Sequence, residues 1–173
     1  MDISDINADI MESLGAYGQV LETLSPEALK RQPDPESWSM GQLFIHLLDD
    51  TMNFHLRLLE ACLSPEAPRQ GTKNGVGEAV YQANAFSDIR VKGRRTAANV
   101  PQPTDKAELE GKMNLLQTAI AQASEKLATN PISGKIEHPA LGFLDAKEWF
   151  QLIAIHFRHH LRQKARIEAF LNT

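Results

Sequence analysis

The last stretch of the chain, residues 145–173, constrains the fold more than any other part of the sequence. No proline or glycine interrupts it, and its apolar residues recur at intervals of three and four, the spacing of one face of an α-helix. These apolar positions are Trp149, Leu152, Ile153, Ile167 and Leu171. Asp145 and Glu148 have the spacing of an N-terminal capping box, so the helix is predicted to begin there. The stretch therefore predicts a long amphipathic helix that packs against other helices.

Three more stretches show the same helical spacing of apolar residues. They run from about residue 4 to 24, from about 39 to 64 and from about 104 to 130. Ser39 with Gln42, and Asp105 with Glu108, repeat the capping-box spacing. Residues 132–144 are predicted as a loop, and no strand pattern is convincing. Four amphipathic helices without strands predict an all-α four-helix bundle.

Residues 64–103 break this pattern, because eight prolines and glycines punctuate them. Within them, residues 78–89 fit either a short helix or an extended segment. The basic run at 90–95 is either a solvated charge run or an anchor for a carboxylate-bearing cosubstrate. A long irregular connection between the second and third helices of a bundle carries either a crossover or part of a binding site.

The composition excludes several classes of protein. The chain of 173 residues is long enough for one domain with a sizeable core, so a single domain is expected over residues 1–173. A formal net charge of -4 argues against broad nucleic-acid binding. The single cysteine, Cys62, fits a reducing compartment. The N-terminus lacks a signal-peptide pattern and no apolar run is long enough to span a membrane, so a cytoplasmic protein is expected.

Two histidines lie on the inner face of the last predicted helix. His156 and His160 are four residues apart and fall within its apolar stripe, so their rings lie one turn apart and face the interior. A buried histidine needs a polar partner, and two on one face are unusual. A shared metal ion satisfies both, and this predicts a metal site.

The third ligand has to come from another helix, and His46 is the best candidate. It lies beside Leu47 and Asp50 on a predicted inward face of the second helix. Three histidines leave coordination positions open, as catalytic sites do, whereas a structural zinc site uses four protein ligands. Asp50, one turn after His46, is positioned to orient a ligand or hold a metal-bound water. Three imidazoles suit zinc, nickel, copper or iron.

The remaining histidines are predicted to lie outside this site. His55 follows His46 by nine residues, which is about 180° around an α-helix. It is therefore expected to face solvent, and His55→Ala is expected to leave metal binding unchanged. His159 is rotated about 100° from His160 and is expected at the surface or behind the ligands. His138 precedes a proline in a predicted loop. It is expected either to have a structural role or to line the mouth of a pocket.

Several short motifs together resemble the DinB/YfiT-like superfamily of metalloenzymes. They are residues 38–47 (WSMGQLFIHL), Glu148-Trp149, the pattern HxxxHxxQ from His156 to Gln163, and residues 138–142 (HPALG). The resemblance runs through nearly the whole chain in helix order. It implies an up-down-down-up bundle, in which the connection after the second helix makes the crossover.

The resemblance also implies a divalent metal, zinc or nickel before others, held by His46, His156 and His160. Gln163 and Asp50 are expected beside these ligands. Members with known activity are thiol-dependent transferases and isomerases that use bacillithiol, mycothiol or glutathione. The leading hypothesis is therefore a metal-dependent S-transferase or isomerase acting on a small molecule, with a low-molecular-weight thiol as cosubstrate.

Two alternatives stay open at the level of sequence. One is a hydrolase that uses metal-bound water at the same three histidines. The other is a non-catalytic helical bundle that binds a ligand or a partner, because the HxxxH pair lacks the glutamate of the HExxH metalloprotease motif. A homodimer through an exposed helix face is a further expectation.

Overall fold

The computed structural model describes residues 1–87, 96–130 and 133–173. The basic run at 90–95 lies outside these residues. In chain order the elements are α1 (Ile3–Thr23), α2 (Pro26–Lys30), α3 (Met40–Asp50), a π-helical segment (Thr51–Leu56), α4 (Arg57–Leu63), α5 (Gly75–Ala83), α6 (Lys106–Thr129), β1 (Lys135–His138), β2 (Gly142–Asp145) and α7 (Ala146–Leu171). The segment Thr51–Leu56 is called the π segment below. Because α3, the π segment and α4 follow one another without a break, they form one long rod.

This rod and α6 run in the same direction. Near the start of each, Lys112 Nζ lies 2.7 Å from a carboxylate oxygen of Asp49. Further along both, Lys126 Nζ lies 2.6 Å from a carboxylate oxygen of Glu60. A parallel pair of neighbours needs a long connection, and residues 64–103 provide it.

The other two long helices run the opposite way. Lys106, at the start of α6, donates a hydrogen bond of 2.9 Å to the carbonyl oxygen of Glu22 at the end of α1. Cys62, near the end of α4, lies 3.5 Å through its Sγ from the carbonyl oxygen of Leu144, just before α7 begins. The four long rods are therefore arranged up-down-down-up, as predicted.

The apolar stripes of the four rods meet in one core. Trp149, Phe150 and Ile153 of α7 are fully buried there. Buried large apolar side chains each contribute about 1.5–3 kcal/mol relative to exposed ones, so these stripes stabilise the bundle. The predicted capping boxes at the starts of α3 and α7 are both present. At α6 the Asp105 side chain accepts from the Glu108 N–H, but the Glu108 carboxylate accepts from Thr104 and not from Asp105.

The loop predicted at residues 132–144 contains a short antiparallel hairpin of β1 and β2. Four-residue strands are at the lower limit of the alternation that identifies a strand in a sequence. The region left undecided at 78–89 begins within the helix α5. Tyr81 of α5 donates a hydrogen bond of 2.6 Å to the carbonyl oxygen of Glu148, which ties the crossover to the first turn of α7. Within the described ranges, no helix is long and apolar enough to cross a membrane.

The π segment changes which residues of the second rod face the core. A π-helical turn closes i→i+5 hydrogen bonds and so takes about one residue more than an α-helical turn. It sets the phase of every later residue back by about 100°, which moves His55 from about 180° to about 80° from His46. His55 is 5% exposed. The prediction that His55 faces solvent was therefore wrong, because it assumed a regular α-helix.

Candidate metal centre

The structure brings together the three histidines that the sequence singled out. His46 comes from α3, and His156 and His160 from successive turns of α7. One ring nitrogen of each lies within 4.8 Å of those of the other two. The Nε2 atoms of His46 and His160 are 3.2 Å apart. His46 is 7% exposed, and the other two rings are partly exposed. We call these three residues the histidine triad.

Two triad members have an oxygen behind the ring. Nδ1 of His160 lies 3.0 Å from the amide oxygen of Gln163, in hydrogen-bond geometry. Nδ1 of His46 lies 3.1 Å from a carboxylate oxygen of Asp50, as an ion-pair contact that is not aligned as a hydrogen bond. The amide oxygen of Gln163 accepts, so Nδ1 of His160 carries the proton and Nε2 keeps its lone pair. The nearby carboxylate of Asp50 favours the same tautomer of His46. The two Nε2 lone pairs therefore point at a common point inside the triad.

Burial holds the triad histidines of α7 in the neutral form. Desolvation, with the neighbouring histidines as a smaller cause, sets the pKa of His156 well below its usual value. Desolvation, and next the proximity of His46, lowers the pKa of His160 to about 3. A neutral imidazole is the form that binds a metal ion. Both residues therefore keep a free lone pair at neutral pH.

Trp38 forms a wall of the site that the sequence did not reveal. Its ring meets that of His46 edge to face, with 4.8 Å between the ring centroids, and lies nearly parallel to that of His160 at 6.3 Å. From the sequence, Trp38 was only the first residue of the motif at residues 38–47 and had no place in the predicted site. The sequence signal that could have identified it is its position directly before Ser39, the cap of the helix that carries His46.

The remaining histidines separate into two groups. His159 lies outside the triad, partly exposed, with its ring 5.4 Å from that of Phe86. His138 is partly buried, and its ring packs 5.3 Å from that of Trp149. His55 is buried against the triad, with its ring centroid 5.1 Å from that of His156, and the partly exposed ring of His159 lies 5.2 Å from that of His160. The sequence therefore missed one histidine of this neighbourhood.

The donor set fits a divalent transition-metal ion. Two imidazole nitrogens bound at about 2.0–2.1 Å to one tetrahedral zinc ion lie about 3.3 Å apart. The Nε2 atoms of His46 and His160 are separated by 3.2 Å. Without a proton or cation between them, two converging lone pairs in a buried site repel each other. Neutral nitrogen donors with hydrogen-bonded outer atoms suit zinc, nickel, copper or iron.

The fold is an up-down-down-up helical bundle, and three inward histidines converge from two of its antiparallel rods. These features place the protein in the class of helix-bundle proteins with a candidate single-metal centre. Within that class, the sequence matches the DinB superfamily over residues 12–163. The chain belongs to this superfamily.

One solved structure with the same fold is YfiT from Bacillus subtilis, described as a probable metal-dependent hydrolase with an unusual four-helix bundle topology. The two chains superpose with a TM-score of 0.65 over 98% of this chain and 87% of YfiT, at 17% sequence identity. At that identity the likeness establishes the fold alone. No protein of curated function matches the sequence significantly.

Proposed function

We propose that this protein is a metal-dependent enzyme that holds one divalent ion on His46, His156 and His160 and acts on a small molecule. The observation that carries the proposal is the convergence of three imidazole nitrogens within 4.8 Å of one another. Three protein ligands leave coordination positions open for a substrate, which distinguishes a catalytic site from a closed structural one. Membership of the DinB superfamily supports the same assignment.

The chain supplies the ligands and the walls of the site. When bound, a divalent ion supplies a Lewis acid that lowers the pKa of a thiol or a water molecule. Gln163 holds the ring of His160 in place, and Trp38 covers the edge of the triad. Cys62, the only cysteine of the sequence, is fully buried against the carbonyl oxygen of Leu144. A thiol nucleophile therefore has to come from a cosubstrate.

Thiol transfer or thiol-dependent isomerisation is the first form of the proposal, because the sequence motifs resemble a superfamily whose members of known activity depend on thiols. Metal-dependent hydrolysis is the second form, and the description of YfiT favours it. The two forms share the triad and differ in the nucleophile. They make opposite predictions about the need for a thiol.

The deciding experiment incubates zinc- or nickel-loaded protein with a small electrophilic substrate, with and without bacillithiol, mycothiol or glutathione. We expect turnover that depends on both the metal and the thiol. Turnover that ignores the thiol would select the hydrolase. His46→Ala serves as the inactive control, because it removes one of the three ligands.

A non-catalytic bundle predicts a different result. Protein purified without a histidine tag would then contain substoichiometric metal, and a chelator would leave its thermal stability unchanged. Elemental analysis of the purified protein, followed by melting curves with and without chelator, separates this alternative from the enzyme. Stoichiometric metal is the result that we expect.

A further inference from the structure

The ring of a metal-binding histidine is held in place by the group that contacts its second, non-binding nitrogen. A histidine that binds through one ring nitrogen carries its proton on the other, and that N–H needs an acceptor to fix the tautomer and the ring angle. Gln163 accepts in this place for His160, and for His46 a carboxylate oxygen of Asp50 lies 3.1 Å from Nδ1 without an aligned hydrogen bond. Two of the three triad members therefore have an oxygen at Nδ1.

His156 has no such oxygen. Its Nδ1 atom is buried, and among the described residues it has no hydrogen-bond partner. A buried N–H without an acceptor is rare in folded proteins, because it loses its hydrogen bonds to water and gains none. His46 Nδ1 also lacks a hydrogen bond, but it has the carboxylate of Asp50 beside it, whereas among the described residues Nδ1 of His156 has neither kind of contact.

His55 is the polar side chain packed against His156 from the second rod that, in the described part of the chain, lacks a partner of its own. Its ring centroid is 5.1 Å from that of His156, and the two ring planes meet at 75°. Its own Nδ1 is also buried and, within the described ranges, also lacks a hydrogen-bond partner. A neutral imidazole has one donor and one acceptor nitrogen, so His55 can accept the proton that His156 has to give.

The π segment is the reason why His55 is there. In a regular α-helix a residue nine positions after His46 lies about 180° away from it. The extra residue of the π segment brings His55 to about 80° from His46 instead, which turns it towards the core. π-helical turns within α-helices are frequent at functional sites. This one delivers a polar ring to the buried side of a triad residue.

We infer that His55 is a positioning residue for His156. Its ring accepts the Nδ1 proton of His156 through one bridging water, since the two rings form no direct hydrogen bond, and so turns the Nε2 lone pair of His156 into the triad. His55 does for His156 what Gln163 does for His160. Only the expected effect of His55 on metal affinity rests on the proposed metal site. Its effect on the tautomer of His156 is expected in the metal-free protein as well.

The first test needs no substitution and no metal. Nitrogen-15 NMR of the histidine rings in the metal-free protein near neutral pH reports which nitrogen of each ring carries the proton. We expect His156 as a single neutral tautomer with the proton on Nδ1. Protonation on Nε2, or a mixture of the two tautomers, would overturn the inference even if the protein binds no metal.

The second test replaces His55 with Leu, which removes the acceptor, and with Gln or Asn, which retain one. In His55→Leu we expect the tautomers of His156 to mix and the affinity for zinc to fall about 10- to 100-fold, as for other outer-shell partners. His55→Gln or His55→Asn should restore most of that affinity. The melting temperature of each metal-free variant is measured alongside, since a merely structural role would lower it without changing the tautomer.

The outcomes separate this inference from the proposed function. Parent affinity in a folded His55→Leu, or failure of both Gln and Asn to restore it, would show that His55 does not position His156. If His55→Leu does not fold, the tautomer of the parent and the comparison of His55→Gln with the parent decide the question. Absence of stoichiometric zinc binding by the parent itself would instead contradict the metal-enzyme proposal.

Discussion

At the scale of single residues, the triad depends on side chains that never contact the ion. The ring of His160 is held at Nδ1 by Gln163, which lies one turn further along α7. Because both residues lie on one helix, this contact does not require the rest of the fold to move when a metal binds. Its contribution can therefore be measured by changing one side chain.

Gln163→Leu should weaken zinc binding by about 10- to 100-fold, because it removes the acceptor that fixes the ring and the tautomer of His160. Gln163→Glu should bind at least as tightly as the parent, since a carboxylate is a stronger acceptor. Calorimetric titration measures both. Gln122→Leu, an exposed change on α6, is the matched control and should have no effect. Equal affinities of Gln163→Leu and the control would refute a role for Gln163.

At the scale of elements, the π segment is a local insertion that the rest of the second rod tolerates. It comprises Thr51–Leu56, and α4 continues from it with Leu59 and Cys62 buried. The helix therefore presents apolar residues to the core both before the π segment, in α3, and after it, in α4. If the segment holds one residue more than an α-helix needs, removing one exposed residue from it should leave both faces in place.

Deletion of Asn53 should therefore convert the π segment to α-helix at a loss of no more than about 1–2 kcal/mol in the free energy of unfolding. Deletion of Asn114, also exposed but within the regular helix α6, should rotate the rest of α6 by about 100°. That rotation takes Leu116 and Ile120 out of the core, where each loss costs about 2–5 kcal/mol. Urea unfolding of the two variants compares the losses, and similar losses would contradict the insertion argument.

The same segment marks the limit of what the sequence predicts. Apolar spacing located the four rods, and capping boxes placed the starts of α3 and α7 correctly, because both signals are local and periodic. In the second helix, the predictions of which residues beyond Thr51 face the core assumed 100° per residue. One π turn was therefore enough to misplace His55. His46 lies before that turn and its predicted facing was unaffected. The hairpin of β1 and β2 escaped notice because its strands are only four residues long.

At the scale of the whole molecule, the triad joins parts of the chain that are far apart in sequence. His46 lies on the second rod, and its Nε2 meets that of His160, which is 114 residues downstream. In the unfolded chain this pairing is lost, and so is the helix that holds His156 and His160 one turn apart. A metal ion that binds the folded state alone stabilises it by mass action.

Saturating metal should accordingly raise the melting temperature of the parent and not that of His46→Ala. At a free zinc concentration 100-fold above the dissociation constant the stabilisation is about 2.7 kcal/mol, which corresponds to a shift of about 5–10 °C for a chain of this size. His46→Ala leaves two histidines one turn apart on α7, which hold a divalent ion far less firmly than three. His159→Ala removes a ring that packs 5.2 Å from that of His160 but is not one of the three proposed ligands, and it should keep most of the shift. Melting curves followed by circular dichroism, with zinc and with nickel, decide the question: an undiminished shift in His46→Ala would show that the bundle does not bind its metal through the triad.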